Sequence, residues 1–158
     1  MKINHPFRLI LCLVFTIGIG SLGAVFTAPE IPSWYAHLQK PFFNPPSWIF
    51  GPVWTLLYTL MGISLYQLWN ALSSKERKQA LVFFFVQFTL NFFWSFIFFR
   101  LHETGWALIE ICLMWGAIIG TILPALKVKR PAALLLVPYL LWVSFATVLN
   151  FAIWWLNR

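Results

Sequence analysis

Charge is the scarcest property of this sequence. Only 9% of its 158 residues are Asp, Glu, Lys or Arg, where a water-soluble domain carries roughly 25%. Such a chain cannot clothe a surface that faces water, and its 61% hydrophobic content makes lipid the surrounding solvent. Asp and Glu together number four, which leaves no interior carboxylate pair for general acid–base chemistry. Cysteine is equally sparse. Cys12 and Cys112 each lie in an apolar stretch, with no CxxC partner and no histidine cluster. Neither a structural disulfide nor a zinc site is indicated, and no metal is expected. A Ser–His–Asp set is missing as well. So are the alternating strands of a membrane barrel, internal repeats and low-complexity linkers.

Long apolar runs are abundant. Five stretches, 9–27, 48–69, 80–99, 106–126 and 132–156, each approach the roughly 20 residues that cross a hydrocarbon core of about 30 Å. Backbone groups in lipid must pair within their own segment, so each stretch is expected to be helical. The first exceeds the length of a signal-peptide core and lacks an A-x-A site, so it is read as a retained span. The expected fold is an all-α membrane protein, one domain over 1–158 with five transmembrane helices.

Eight of the eleven basic residues fall on one side of this arrangement: Lys2, Arg8, Lys75, Arg77, Lys78, Lys127, Lys129 and Arg130. Lys40, Arg100 and Arg158 fall on the other. The bias places the N-terminus in the cytoplasm and the C-terminus outside, and helical spans favour a bacterial inner membrane. The net charge of +7 then reflects topology and attraction to anionic headgroups, not a nucleic-acid partner.

Most connections are short (73–79, 100–105 and 127–131), which implies antiparallel neighbours in an up-down bundle. The exception is 28–47. It holds Pro29, Pro32, Pro41, Pro45 and Pro46 together with Trp34, Tyr35, Phe42 and Phe43. Proline fixes φ and removes a donor, so this segment is not one helix. Its composition suits a stiff apolar lid; the alternative is an interfacial aromatic belt.

The ten tryptophans divide by depth. Trp34, Trp48, Trp69, Trp106, Trp154 and Trp155 sit near predicted span ends, where indoles collect in any membrane protein. Trp54, Trp94, Trp115 and Trp142 lie deeper, where an indole N–H needs a partner. Helical spacing groups them into stripes: Trp54 with Tyr58; Gln87, Asn91 and Ser95 with Trp94; Tyr139, Trp142, Ala146 and Asn150. Polar groups avoid lipid, so these stripes face inward. They either line a cavity for a large, flat, mostly apolar ligand or serve as hydrogen-bond glue between helices. Glu110 is the one acid within a span, and it is expected to reach outward or to pair with Arg100 or His102. His5, His37 and His102 are interfacial. Gly18-x-Gly20-x-x-Gly23 matches a dinucleotide fingerprint but lies inside an apolar span without a preceding strand, so it reads as a helix-packing groove. Gly116-x-x-x-Gly120 likewise permits close helix approach, within the bundle or across a dimer.

The runs Trp34-Tyr35, Lys40-Pro41, Asn44-Pro45-Pro46-Ser47-Trp48, Phe50-Gly51-Pro52-Val53-Trp54 and Leu57-Tyr58 resemble the signature of the translocator protein family, also called tryptophan-rich sensory proteins. Asn91-Phe92-Phe93-Trp94-Ser95, Pro138-Tyr139-Leu140-Leu141-Trp142 and Ala146-Thr147-Val148-Leu149-Asn150 fit the same pattern. The resemblance implies a five-helix bundle, commonly a homodimer, that binds tetrapyrroles such as protoporphyrin and haem, benzodiazepine-like ligands and, in some members, sterol-like lipids. No resident cofactor is required. The family's lidded cavity maps onto Tyr35, Pro45, Trp54, Tyr58, Asn91, Trp94, Trp142, Ala146 and Asn150. For light-dependent porphyrin breakdown, which some members promote, the resemblance points to Trp54 and Trp142 as the catalytic pair. A receptor or carrier is the favoured reading; degradation and transport are the alternatives. Two departures stand out: Phe42 and Phe43 replace a pair that often contains Trp, and Phe151 stands where the sterol pattern needs Tyr.

Overall fold

A computed structural model describes residues 5–158; Lys2 lies outside them. Five helical spans are long and apolar enough to cross a membrane. The first is α1 (Pro6–Glu30), which leads into a short α2 (Trp34–His37). The second, α3 (Phe50–Trp69), is entered through a 3₁₀ turn at Ser47–Ile49. Next come α4 (Lys75–Ser95), α5 (Thr104–Val128), the short α6 (Arg130–Leu134) and α7 (Val137–Leu156). No strand occurs among the described residues.

Each boundary has a local cause. The Ser74 side chain accepts the Arg77 N–H at 3.1 Å and caps α4, so the helix begins at Lys75 and absorbs most of the turn expected at 73–79. Arg77 also donates to the carbonyls of Leu68 and Trp69 at the end of α3, where a cation meets orphan acceptors. At its far end α4 widens into a π turn over Phe96–Arg100, with the Leu101 N–H on the Phe96 carbonyl at 3.0 Å. His102 then takes a left-handed φ of 59° and stops the helix. The expected fifth span is broken in two. Pro138 near the start of α7 has no N–H to continue the helix from α6. Helix α1 runs three residues into the predicted lid, because Pro29 in its last turn forfeits a single bond.

The spans form a ring in the order α3, α1, α4, α5, α7, with α6 returning to α3. Chain order and ring order therefore differ: α1 lies between α3 and α4, although α3 and α4 share a short connection. Small residues make this possible. A Cβ on Gly20 would stand 2.5 Å from the Tyr58 ring, and one on Gly23 would stand 3.1 Å from Ser95 Oγ. The glycine run is a packing groove, as its setting implied, although Gly18 faces open space. Gly120 likewise seats Phe83 of α4, while Gly116 is open.

Helices in lipid gain no hydrophobic drive from meeting each other and associate through packing and hydrogen bonds. The buried centre supplies both. Phe84, Phe88, Met61, Met114 and Tyr139 pack around it. Tyr58 Oη donates to Asn91 Oδ1 at 2.9 Å, Asn91 Nδ2 donates to Tyr139 Oη at 3.2 Å, and that hydroxyl reaches Met114 Sδ at 3.3 Å. Thr16 Oγ1 donates to the Tyr58 carbonyl at 2.9 Å. The bonds link all five spans.

The glycine contacts give a paired prediction. Gly20→Val must displace Tyr58 and is expected to cost about 1–3 kcal/mol, the usual penalty of overpacking. Gly18→Ala meets nothing and gains helix propensity of up to about 1 kcal/mol. Thermal unfolding in detergent checks both; equal effects would remove the packing role of Gly20.

Candidate functional site

On the side of the bundle that carries residues 31–49, a cavity of about 320 Å³ opens. This volume lies within the roughly 300–1,000 Å³ typical of small-molecule sites. All five spans contribute to its wall. Tyr58 and Met114, two members of the central network, form part of its lining. Trp54 stacks on Tyr58 with ring centroids 5.3 Å apart, and Trp142 meets Phe50 edge-to-face at 6.1 Å. Among the described residues no group of three or more His, Cys, Asp or Glu is placed to hold a metal.

The four deep tryptophans separate cleanly. Trp94 Nε1 donates to Asn150 Oδ1 at 3.1 Å, and Trp115 Nε1 donates to Ser144 Oγ at 2.9 Å. Trp54 and Trp142 line the cavity, and among the described residues neither indole has a hydrogen-bond partner. Their N–H groups are donors on an otherwise mostly apolar wall.

The asparagines are spent differently. Asn91 is buried behind the wall and bonds Tyr58 and Tyr139. Asn150 lines the cavity, but it accepts from Trp94 and donates to the Thr104 carbonyl at 2.9 Å. Along the stripes, then, the Asn91 and Asn150 amides bond between helices while aromatic rings line the space, and the Gln87 amide has no partner among the described residues. Tyr35, Trp54, Tyr58, Trp94, Trp142, Ala146 and Asn150 come together around one space; Asn91 and Pro45 are not on its surface.

The 31–49 segment is fastened on several sides. Tyr35 is buried and its hydroxyl donates to Asn44 Oδ1 at 2.6 Å. Lys40 Nζ donates to the Ala36 and Leu38 carbonyls and stands 5.0 Å from the centre of the Tyr35 ring. Asn157, beyond α7, accepts the Gln39 N–H and donates to the Gln39 carbonyl, both at 2.9 Å. Trp34 stacks on His102 at 4.2 Å, and His102 Nε2 lies 3.2 Å from Glu30 Oε2. The two phenylalanines split: Phe42 is fully exposed, whereas Phe43 packs edge-to-face on Phe145.

Glu110 departs from expectation. It is 7% exposed, and neither carboxyl oxygen has a partner among the described residues. It sits one turn from buried Ala107 and Met114, which turns it inward, and His102 is engaged by Glu30 instead. Sequence reasoning also missed the share of α1 in the wall, through Gly20, Gly23, Ala24 and Thr27. The signal was present in the spacing of those small residues, which leaves room beside a helix as well as permitting contact.

Burial pushes the Tyr35 hydroxyl up to about 12, against a lowering by its bond to Asn44. A folded value above the ordinary 10 means that the neutral phenol's contribution is complete below pH 10 and is lost as pH passes 12. Amide exchange across residues 31–46 is expected to stay unchanged from pH 8 to 9.5 after correction for intrinsic rates. Asn157→Ala is expected to raise it severalfold without changing the helical content. Unaltered protection in that variant would remove the clasp between the loop and α7.

Residues 10–156 match the TspO/MBR family model. The chain is 45% identical to the Tryptophan-rich protein TspO of Archaeoglobus fulgidus, over 95% of this chain and 97% of that one. It is 42% identical to the Translocator protein of Bos taurus, over 88% and 83%. The Tryptophan-rich sensory protein of Cereibacter sphaeroides is 32% identical, over 98% and 94%. This chain, an integral membrane protein of five apolar helices, belongs to the TspO/MBR family.

Proposed function

We propose that this protein is a receptor or carrier that binds a flat tetrapyrrole, protoporphyrin or haem, in the cavity between its helices. One observation carries the reading: Trp54 and Trp142, whose indole N–H groups have no hydrogen-bond partner among the described residues, both line an aromatic, mostly apolar space. Both residues are only half-buried, and a ligand acceptor there would add a hydrogen bond worth about 0.5–1.5 kcal/mol. The rings of Trp54, Trp94 and Trp142 offer stacking faces, and Tyr35 with the fastened loop covers the end of the site. The small residues Gly20, Gly23 and Ala146 leave width for a plate-like molecule. Family membership supports the same ligand class and a homodimer. The helical spans support an inner membrane, and the basic residues support an N-terminus in the cytoplasm.

Oxidative degradation in light is the second reading. It is favoured by the electron-rich indoles of Trp54 and Trp142 standing free on the wall, where a photoexcited ring would meet them.

Binding is read from the shift of the porphyrin absorption band in the dark. Trp54→Phe and Trp142→Phe each remove one donor and are expected to weaken protoporphyrin about three- to tenfold. Trp115→Phe, whose indole is bonded elsewhere, is expected to leave affinity unchanged. Equal affinity in all four proteins would sink the cavity assignment. Under illumination, binding alone predicts no protein-dependent loss of the band. A loss that disappears in Trp54→Phe, with dark binding retained, would replace the carrier reading by degradation.

A further inference from the structure

The cavity wall carries no Lys, Arg, His, Asp or Glu. The cations on the same side of the bundle are placed elsewhere, and His37 Nδ1 lies 2.6 Å from the Ser33 carbonyl. Lys40 is held by two carbonyls over Tyr35, and His102 is stacked on Trp34 beside Glu30. Arg158 lies 3.2 Å above the Trp155 ring, and Arg100 is exposed in the turn after α4. The buried carboxyl group in the spans is itself acidic: Glu110 adjoins Ile111, which lines the wall. An ionised carboxylate drawn into such a space loses its hydration with no cation to compensate, at a cost of several kcal/mol.

The cavity is not closed all round. Along the α1–α3 seam its lining residues are small and exposed: Ser21, Ala24 and Ala28 on one side, Ser47, Gly51 and Thr55 on the other. Ala28 and Ser47 lie nearest the helix ends, at the level where headgroups and water meet the bundle.

We infer that the site takes tetrapyrroles only with every charged substituent left outside, at the rim between Ala28 and Ser47, so that it selects the uncharged face of its ligand and not its carboxylates. The inference rests on the tetrapyrrole reading and deepens it by assigning the ligand's orientation and charge class. Neutral, esterified tetrapyrroles are therefore ligands of the site in their own right.

The test compares protoporphyrin with its dimethyl ester by dark titration in detergent, corrected against protein-free micelles. The ester is expected to bind with a Kd no more than threefold above that of the diacid; a larger penalty would overturn the inference, since it would mean that the wall recognises carboxylate. Ala28→Arg places a cation at the rim, in the last turn of α1, where positive charge is tolerated. It is expected to tighten the diacid three- to tenfold and to leave the ester within twofold; equal gains for both, or none for the diacid, would overturn the assigned orientation. Should neither porphyrin bind saturably, the tetrapyrrole reading fails, and the charge rule is decided separately with 1-pyrenemethanol and 1-pyrenecarboxylate. Binding of the alcohol alone supports it, and binding of the carboxylate as tightly as the alcohol, or of neither, overturns it.

Discussion

The side chain of Asn91 is the point on which the bundle depends. It accepts from Tyr58 on α3 and donates to Tyr139 on α7, whose hydroxyl reaches Met114 on α5. Thr16 brings in α1 through the Tyr58 carbonyl. In water such bonds would exchange with solvent at small net gain; in hydrocarbon the alternative is an unpaired polar group. The worth of each bond is modest in membranes, about 0.6 kcal/mol on average. Their larger effect is geometric. An amide that must satisfy two phenols on separate helices fixes the rotation of α3, α4 and α7 together, and an apolar contact would tolerate slippage.

That constraint also sets where the cavity lies. Toward the basic end the ring is closed, with Ser64 of α3 donating to the Ala132 carbonyl of α6 at 2.8 Å and Ala132 and Ala133 buried. Pro138 lets α6 turn from the line of α7 and reach α3 there. On the other side of the network α7 continues without α6, and the cavity lies among the spans there. Tyr58, seated against Gly20, is the boundary between the packed and the open halves. A bulkier residue at position 20 would push the same ring that Asn91 holds. The glycine groove and the hydrogen-bond network are thus one device with two parts.

The spans were legible because lipid imposes a simple demand, a long apolar run with few charges, and residues 9–27 show it without interruption. Their ends were less legible. Ser74 caps α4 with one hydroxyl, and the two-residue break just before Pro138 needed knowledge of where α6 would go. Most of the wall was legible as well, since stripes such as Tyr139, Trp142, Ala146 and Asn150 follow from helical spacing alone. Spacing cannot say which atoms of a stripe are already engaged. Asn91 and Trp54 looked equivalent in sequence, and only the fold shows one amide satisfied on both sides and one indole free. The contribution of α1 was hidden for a related reason: glycine and alanine lining a cavity carry the same pattern as glycine and alanine closing a contact. At Gly20 both descriptions apply.

The few polar groups left unpaired complete the separation between scaffold and site. Gln87 and Glu110 are buried without partners among the described residues, yet neither lies on the wall, and the structure gives no physical account of them. Trp54 and Trp142 are unpaired on the wall itself. An indole is the donor such a position permits, because its ring still packs against Tyr58 or Phe50 while its N–H stays free for a partner. A lysine or arginine there would need a counter-ion in a region where the chain has almost no acids. The shortage of charge that keeps this protein in the bilayer therefore also shapes its cavity, leaving stacking and neutral hydrogen bonds as the means of recognition.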